Sequence, residues 1–291
     1  MSTDLRFTKY EGAGNDFVML LDLDDERSLE APAVVALCDR RKGIGADGVI
    51  RVVRTDHEGA SFFMDYRNAD GSVAEMCGNG IRCVTRLLLD EGLSHERELV
   101  VLTRAGAKHV RTDGDPDNGQ LTVEMGTPSF TKAAIPMRGP AWETFLGEPL
   151  EIGELTVKAS AMSMGNPHVV VFVDDDPDRF HVAHMGPVVE HHEMFPEGAN
   201  VEFAQILGDV IKARVWERGA GETMACGSGA CAVAVAAHEA GLSAAKTVVS
   251  FPGGPLEVER LGDGSVLLTG GARRIFEGVV DVGRLAAERS K

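Results

Sequence analysis

The sequence predicts an α+β protein that is rich in short strands and built by internal duplication. Short segments of alternating or β-branched residues recur along the 291 residues, whereas only three segments show a helical pattern. The two strongest helical segments begin with matching Cys-Gly-x-Gly sequences at Cys77 and Cys226, 149 residues apart. At roughly 150 residues per domain, the length favours two domains. We therefore expect two pseudo-symmetric α+β domains.

Short strands account for most of the predicted secondary structure. Residues 121–125 and 210–216 alternate apolar and polar side chains, which is typical of strands with one buried face. Residues 169–173 and 247–251 are short runs rich in β-branched residues, which is typical of buried strands. Clusters of Gly, Pro and Asp separate such segments, so we expect the strands to be joined by tight turns.

Three segments predict helices. Residues 32–41 form the first, a short stretch with several apolar side chains. Residues 78–91 place four apolar side chains on one helical face and end before Gly92. Residues 227–240 are rich in Ala and Val and end before Gly241. The last two segments are near twins.

These twin helices belong to a longer repeat. Three short motifs occur twice in the same order, at a nearly constant offset of 149 to 151 residues. The matched segments are 14–18 with 165–169, 77–80 with 226–229, and 92–94 with 241–243. Self-similarity at a fixed offset is the signature of a repeated structural unit. We interpret the chain as a duplicated domain and expect its halves to pack about a pseudo-twofold axis.

Composition argues against several kinds of partner. The chain has 29 basic and 45 acidic residues, and its net charge is −16. Nucleic acids and anionic membrane surfaces attract clustered Lys and Arg, so neither is an expected partner. The longest apolar runs fall far short of the roughly 20 residues that a membrane helix needs. We therefore expect a soluble, cytoplasmic protein whose partner is a small molecule.

The cysteines indicate reduced thiols rather than a disulfide framework. They number five, which is odd, in a large chain. No Cys-x-x-Cys pair or His spacing typical of zinc is present, so we expect no metal. We also find no glycine motif typical of a nucleotide site and no lysine context typical of pyridoxal phosphate, so we expect no cofactor. Cys38, Cys83 and Cys231 are expected to be buried structural thiols.

Cys77 and Cys226 each precede a predicted helix, and this position favours a functional role. The first N–H groups of a helix are unpaired, and the positive end of the helix dipole attracts anions. A thiol at this position is expected to have a lowered pKa. The glycines that follow each cysteine would let a carboxylate approach the backbone closely.

Two such thiols facing each other across one cleft would suit inversion of a carbon centre. A small substrate with a carboxylate would have one sulfur on each face of its α-carbon. One thiolate would remove the α-proton while the opposite thiol supplies another, and no cofactor is then required. Both helix N-termini would stabilise the charge that develops on the carboxylate.

Seven ordered motifs resemble those of the diaminopimelate epimerase family over essentially the whole chain. They occupy residues 12–17, 43–47, 68–71, 76–83, 165–168, 200–203 and 217–229. The resemblance implies a cofactor-independent epimerase that interconverts LL- and meso-2,6-diaminopimelate in lysine and peptidoglycan precursor biosynthesis. It also implies a β-barrel-like sheet around a central helix in each domain, and a homodimer.

The resemblance assigns roles to individual residues. Cys77 and Cys226 match the two acid–base thiols, and His168 and Glu217 match residues that tune them. The residues that match substrate contacts are Asn15, Asn68, Gly78, Asn79, Asn166, Asn200, Glu217, Arg218, Gly227 and Ser228. Gly48 is a departure, because many relatives carry Gln at that position, so we assume no side-chain contact there.

The family fold also suggests where the two domains begin and end. Residues 1–126 and 271–291 are expected to form the domain that carries Cys77, since the C-terminal segment returns to it. Residues 127–270 are expected to form the domain that carries Cys226, with the active site in the cleft between the domains.

Three other functions are compatible with paired thiols. A proline or hydroxyproline racemase would use the same chemistry, but that family typically has His where this chain has Asn79, and a small ring substrate would not need Arg218. A redox sensor would join Cys77 and Cys226 in a reversible disulfide. An amino-acid-binding protein would hold diaminopimelate without exchanging its protons. Incorporation of solvent deuterium at the α-carbon distinguishes catalysis from sensing and from binding alone.

Overall fold

The described residues fall into two compact units. The computed structural model describes residues 4–57, 59–114, 119–153 and 155–289. Unit 1 comprises Met1–Val123 and Gly270–Lys291, and unit 2 comprises Glu124–Thr269. Residues 1–3 and 290–291 of the first predicted domain lie outside the described residues.

Strands are the main secondary structure, as the sequence predicts. The described residues form β1 (Asp4–Gly12), β2 (Asn15–Leu21), β3 (Gly48–Arg54), β4 (Phe62–Asn68), β5 (Glu98–Thr103), β6 (Gly106–Asp113), β7 (Gln120–Gly126), β8 (Phe145–Ile152), β9 (Leu155–Ser163), β10 (Pro167–Phe172), β11 (Asn200–Leu207), β12 (Val210–Glu217), β13 (Gly221–Thr223), β14 (Lys246–Phe251), β15 (Gly254–Arg260), β16 (Val266–Gly270) and β17 (Arg273–Asp281). All four segments predicted as strands fall largely or wholly within these limits.

The helices of the described residues are α1 (Ala31–Cys38), α2 (Gly78–Asp90), α3 (Val182–Glu190), α4 (Gly227–Glu239) and α5 (Val282–Arg289), with a 3₁₀ turn at Pro177–Arg179. The two twin helices are therefore confirmed to within one residue at each end. The sequence analysis missed α3 and α5. Gly186 and Pro187 interrupt the apolar pattern of α3, and α5 is short and contains two arginines.

The first predicted helix ends earlier than expected. It was expected to span residues 32–41, but α1 ends at Cys38. The side chain of Asp39 accepts hydrogen bonds from the backbone N–H groups of Arg41 and Lys42, at 2.8 and 2.9 Å. Its carbonyl oxygen accepts a further bond from the N–H of Gly43. An Asp side chain that bonds to the backbone ahead of it competes with helix formation, which explains the early end.

The two units repeat the same strand pairing. In unit 1 the hydrogen-bonded order is β17-β1-β2-β3-β4-β5-β6-β7, with parallel pairing only at β2–β3 and β4–β5. In unit 2 the order is β8-β9-β10-β11-β12-β14-β15-β16, with parallel pairing only at β10–β11 and β12–β14. The parallel pairs fall at the same two places in each order, so the predicted duplication is confirmed.

Each sheet wraps one helix on its inner face. In unit 1, α2 packs against β1, β2, β3, β5 and β17, and residues from Gly78 to Leu88 are all buried. In unit 2, α4 packs against β9, β10, β11, β12, β14 and β15. The many Ala residues of α4 suit this position, because small side chains let the helix approach the surrounding strands closely. The expected sheet around a central helix is present in both units.

The outer face of each sheet carries a second apolar core. In unit 1, Val18 and Leu20 of β2 pack there with Leu37 of α1. In unit 2, Val169 and Val171 of β10 pack with residues of α3. These strands are buried on both faces, which explains why their sequences are continuous apolar runs. Within the part of the chain that the structure describes, no helix is long and apolar enough to cross a membrane.

Candidate active site

The two cysteines of the repeated motif occupy equivalent positions at the start of the central helices. Cys77 is the N-cap residue of α2, and its Sγ accepts a hydrogen bond from the N–H of Gly80 at 3.3 Å. Cys226 is the N-cap residue of α4, and its Sγ accepts from the N–H of Gly229 at 3.4 Å. Both cysteines have extended backbone angles, as N-cap residues usually do. The predicted position of each thiol at a helix N-terminus is therefore confirmed.

The second glycine of each motif packs closely against side chains of the neighbouring strands. A Cβ added to Gly80 would lie 2.9 Å from side-chain atoms of Ile50 and Met64. A Cβ added to Gly229 would lie 2.6 Å from Oε1 of Glu202. Both distances are shorter than ordinary Cβ contacts, so a larger residue would displace the ends of these buried side chains. We expected the glycines to serve ligand approach, and the structure adds this packing role.

Strand pairing explains why the candidate residues of unit 1 gather at one edge of its sheet. β2 and β3 run parallel and begin at this edge, and β4 runs antiparallel and ends there. Asn15 is the first residue of β2, and Asn68 is the last residue of β4. In unit 2, Asn200 begins β11 and Glu217 ends β12 at the corresponding edge. In each unit, the fold therefore gathers polar side chains from the start of one strand and the end of another at a single edge of the sheet.

A buried hydrogen-bond chain lies behind Cys77. The side-chain amide of Asn79 donates to Oδ1 of Asn15 at 2.6 Å, and Arg82 donates to Oδ1 of Asn79 at 2.7 Å. Asn15 donates in turn to Oδ2 of Asp47 at 3.1 Å. Asn79 and Arg82 are fully buried. The Asn79 side chain is thus used within the protein, which leaves its backbone as the group that can contact a substrate.

The side chains of Asn68 and Asn200 are also held by hydrogen bonds within the protein. Asn68 donates to the Ser72 hydroxyl at 3.0 Å. In unit 2, Asn200 donates to the carbonyl of Pro167 at 3.0 Å and accepts from the N–H of Arg218 at 2.9 Å. The Asn200 side chain therefore links the start of β10 to the turn that carries Arg218.

His168 lies in a buried polar cluster in unit 2. Its Nδ1 is 2.8 Å from Oε1 of Glu202, and its Nε2 is 3.0 Å from Oδ1 of Asn166. His168 and Glu202 are completely buried. The ring is therefore fixed from both sides.

Glu217 and Arg218 do not pair with each other. The Glu217 carboxylate accepts hydrogen bonds from the Thr223 hydroxyl and the Cys226 thiol. Burial raises the pKa of Glu217, and these two hydrogen bonds offset only part of that effect. Arg218 is exposed, and its guanidinium donates to the carbonyl oxygen of Glu197 at 3.3 Å. Glu217 is therefore a direct neighbour of the thiol, whereas Arg218 is accessible to a ligand.

The expectation of a lowered thiol pKa is wrong for Cys226. Burial raises its pKa well above the ordinary thiol value, and the negative charges of Glu217 and Glu202 raise it further. Hydrogen bonds from Ser228 and from the N–H of Gly229 act in the opposite direction but are outweighed. The sequence argument considered only the helix terminus, whereas desolvation and two nearby carboxylates decide the result.

The surroundings of the other three cysteines and of Gly48 indicate structural roles. Cys38, Cys83 and Cys231 are buried, as expected. Burial raises the pKa of Cys38 to about 12 and that of Cys83 above the ordinary range. A Cβ on Gly48 would lie 2.5 Å from the carbonyl oxygen of Arg67, so this backbone requires glycine. Among the described residues, no group of three or more His, Cys, Asp or Glu side chains is arranged to hold a metal.

Three carboxylates that support this site were missed by the sequence analysis. Glu202 holds His168, and Asp47 holds Asn15. Glu190 is buried and accepts hydrogen bonds from Trp216 Nε1 at 2.6 Å and from the N–H of Gly219 at 2.9 Å. The signal for Glu202 is a charged residue inside the apolar strand Asn200–Leu207. Glu190 shows no such signal, because only the fold brings it to β12.

Comparison with known proteins identifies the family. The family model for diaminopimelate epimerase matches residues 7–131 and 160–275. The chain is 43% identical to the diaminopimelate epimerase of Cyanothece sp. over 285 residues, covering 95% of this chain and 99% of that protein. This chain belongs to the diaminopimelate epimerase family. It is also 44% identical to the diaminopimelate epimerase of Moorella thermoacetica over 279 residues, covering 94% and 98% of the two chains. The resemblance seen in the motifs is confirmed, and with it an isomerase that acts on an amino acid.

More distant solved structures share the fold of the epimerase family. A probable proline racemase from Agrobacterium radiobacter has a TM-score of 0.69 at 14% identity, covering 94% of this chain and 92% of that chain. A phenazine biosynthesis protein of the PhzF family from Bacillus anthracis has a TM-score of 0.69 at 17% identity, covering 95% and 99%. At these identities the likeness shows the fold alone.

We expect Glu217→Gln to stabilise the protein at neutral pH. The folded-state pKa of Glu217 is raised, so its neutral form stabilises the fold below the unfolded-state pKa, and this contribution is lost as pH rises through the folded-state value. Gln cannot ionise, so the variant keeps the contribution at about 1.4 kcal/mol for each pKa unit of the shift. Urea unfolding should show a higher midpoint for the variant at pH 8 and no difference at pH 4. Replacement of the exposed Glu124 by Gln is the control, and equal midpoints for Glu217→Gln at pH 8 would contradict the expectation.

Proposed function

We propose that this protein interconverts LL- and meso-2,6-diaminopimelate by transferring protons through two cysteines, without a cofactor. The observation that carries this proposal is the pair of equivalent N-cap thiols, Cys77 and Cys226, in a chain of the epimerase family. Each domain supplies one thiol, and we propose that the two act on opposite faces of the same α-carbon. Inversion requires one group that removes a proton and one that delivers it.

The proposed reaction is balanced by the two sulfurs alone. One thiolate takes the α-proton and becomes a thiol, and the C–H electron pair moves onto the carbon and its carboxylate. The opposite thiol then gives its proton to the other face of the carbon and becomes a thiolate. The N–H groups at the start of α2 and α4, in Gly78, Asn79, Gly227 and Ser228, would stabilise the carboxylate charge during this transfer.

We propose that Glu217 and His168 control whether the Cys226 thiol is protonated. Glu217 accepts the hydrogen bond of the Cys226 thiol, so it lies where it can take that proton when the thiolate is needed. His168 is fixed nearby by Glu202 and Asn166. Burial raises the pKa values of both Glu217 and Cys226, so the surroundings favour the protonated form of each group.

Substrate recognition is assigned to the polar side chains at the two sheet edges. Arg218 is the exposed cation of this set, and its backbone is held by Asn200. A guanidinium binds a carboxylate with two parallel hydrogen bonds, which fits the second amino-acid end of diaminopimelate. The remaining proposed contacts are Asn15, Asn68 and Asn166, which supply neutral donors and acceptors.

We propose that the enzyme acts in the cytoplasm and without pyridoxal phosphate. The odd number of cysteines, with two of them needed as thiols, fits a reducing compartment. Pyridoxal phosphate would act as an electron sink for the carbanion. The proposed reaction does not need one, because the N–H groups at the helix N-termini stabilise the negative charge on the carboxylate.

The decisive experiment is proton exchange in deuterated water. Incubation with LL- or meso-diaminopimelate should replace the α-proton by deuterium and interconvert the two isomers, as followed by NMR. Proline should show no exchange, because a proline racemase is the related alternative. Binding of diaminopimelate without exchange would indicate a binding protein or a sensor and would refute the proposed function.

Replacement of either N-cap cysteine by Ala should abolish epimerisation. General acid–base groups typically contribute about 10²- to 10⁴-fold, so losses in or above that range are expected for Cys77→Ala and for Cys226→Ala. Cys83→Ala and Cys231→Ala are the matched controls, because these thiols are buried in the same two helices. The controls should keep their turnover, although they remove buried volume. A folded Cys83→Ala protein as inactive as Cys77→Ala would overturn the assignment.

Arg218→Lys should impair the reaction with diaminopimelate but leave the fold intact. Lys cannot reproduce the two-pronged hydrogen bond to a carboxylate, so kcat/KM should fall by about 10- to 100-fold, as expected for losing a hydrogen bond to a charged group. The urea midpoint should not change, since the side chain is exposed. Arg6→Lys, whose side chain is also exposed, is the control. Near-normal kcat/KM for Arg218→Lys would remove Arg218 from the site.

We also propose that the enzyme is a homodimer in which a second copy covers β17. This strand pairs with β1 on one edge, and among the described residues no second strand pairs with it. Ile275, Phe276 and Val279 of β17 are 50%, 47% and 64% exposed, so this one short strand presents three large apolar side chains to solvent. Members of the family that this chain resembles are usually homodimers, so we propose that a second copy of this chain covers the strand.

Light scattering during gel filtration tests this assembly. The wild type should have about twice the chain mass of 31.0 kDa, and Val279→Arg should shift it to the monomer mass because a charge would be buried without a partner. Leu155→Arg, at an exposed leucine of unit 2, should leave the dimer intact. A monomeric wild type, or a Val279→Arg variant that remains dimeric, would refute the proposed interface.

A further inference from the structure

A buried polar pair in unit 2 replaces an apolar pair at the equivalent position of unit 1. The repeat at an offset of 151 residues aligns Phe17 with His168. In the parallel strand pairs, Phe17 lies opposite Gly48 and His168 lies opposite Asn200. Two residues further along each second strand stand Ile50 and Glu202.

The packing of the two central helices shows that Ile50 and Glu202 are equivalent in space. The repeat aligns Gly80 with Gly229 at an offset of 149 residues. A Cβ on Gly80 would collide with Cδ1 of Ile50, and a Cβ on Gly229 would collide with Oε1 of Glu202. Each side chain therefore lies beneath the first turn of its own central helix, next to the N–H that bonds to the catalytic sulfur.

The fold does not require the charged pair. Unit 1 fills the same two positions with Phe17 and Ile50, and both are buried. Burying a carboxylate is unfavourable unless its oxygens are well paired, and an apolar pair of similar volume is often as stable or more stable. Glu202 is fully buried, yet its Oε2 has no hydrogen-bond partner within the part of the chain that the structure describes. We therefore infer that the Glu202 carboxylate has a role other than packing.

The surroundings of Cys226 connect this carboxylate to the reaction. Two carboxylates act on the thiol, Glu202 from β11 and Glu217 from β12, and His168 from β10 faces Glu202. The thiol also has hydrogen bonds with Ser228 and Gly229 of α4. In unit 1, the side chains beneath the corresponding turn are those of Ile50 and Met64, which are apolar.

We propose that Glu202 is a positioning residue for Cys226: its buried carboxylate orients the ring of His168 and holds a negative charge beneath the first turn of α4. This inference rests on the proposed function, because it concerns the thiol that exchanges protons there. Like charges repel strongly in a poorly solvated interior, so the Glu202 carboxylate opposes formation of the Cys226 thiolate. Cys226 therefore holds its proton at neutral pH and is the donor in the resting enzyme. The two thiols are chemically unequal although the fold places them equivalently.

Alkylation of Cys226 in the substrate-free enzyme tests the electrostatic part. Iodoacetamide reacts with the thiolate, so the pH dependence of its rate, read by peptide mass spectrometry, reports the thiol pKa. Glu202→Gln preserves the shape of the side chain and removes the charge. We expect the midpoint for Cys226 to move to lower pH by about one unit, which is about a tenfold faster reaction at pH 8. The rate at Cys77 in the same sample should not change and serves as the internal control. An unchanged or higher midpoint for Cys226 would overturn the proposal.

A double variant separates positioning from packing. His168→Phe with Glu202→Ile installs in unit 2 the pair that unit 1 already packs, so it should fold with a urea midpoint at or above that of the wild type. Its kcat for diaminopimelate should fall at least tenfold, while its KM changes less than about threefold, because the substrate contacts remain. A double variant that does not fold, or one with wild-type kcat and pH profile, would show that the pair is merely structural.

The two proposals fail in different ways. If the wild type does not exchange the α-proton of diaminopimelate, the proposed function is wrong, whatever the alkylation data show. If the wild type exchanges the proton but Glu202→Gln leaves the alkylation midpoint of Cys226 unchanged, the proposed function stands and the role of Glu202 is refuted.

Discussion

The first turn of a buried helix is the constraint on which both halves of this protein depend. α2 and α4 each lie inside a sheet, so their first N–H groups are removed from solvent and need acceptors. In each helix the cysteine sulfur accepts one of these bonds, and the following glycines bring the turn against the neighbouring strand. The sulfur and the remaining N–H groups are thereby held together, which is the arrangement that the proposed proton transfer uses.

Around this common element the two units differ in chemistry. Behind Cys77, a chain of hydrogen bonds runs from Arg82 through Asn79 and Asn15 to the carboxylate of Asp47. Beside Cys226, the neighbours are the carboxylates of Glu202 and Glu217. The two units share one backbone arrangement around the cysteines. Differences at equivalent positions, such as Ile50 and Glu202, give the two thiols different surroundings. In the proposed reaction, one thiol carries the proton before the transfer and the other carries it afterwards.

The order of the strands explains how distant motifs meet. A parallel pair followed by an antiparallel strand brings the start of two strands and the end of a third to one edge. Asn15 and Asn68 meet this condition in unit 1, as Asn200 and Glu217 do in unit 2. The outer cores beneath α1 and α3 keep these strands buried on both faces, so the edge residues are carried by a rigid sheet.

The sequence by itself determined the duplication, the two central helices and the location of both cysteines at their N-termini, because these depend on local spacing. The family likewise follows from ordered motifs. Only the tertiary structure decided the environment of each thiol. The pKa of Cys226 depends on burial and on Glu202 and Glu217, which the folding of β11 and β12 brings next to the thiol. The same limit explains why Glu190 was missed, since α3 brings it to Trp216 and Gly219. Local sequence pattern predicts the helix or strand on which a side chain lies. The pKa of that side chain depends on burial and nearby charges, which only the packing of the whole fold sets.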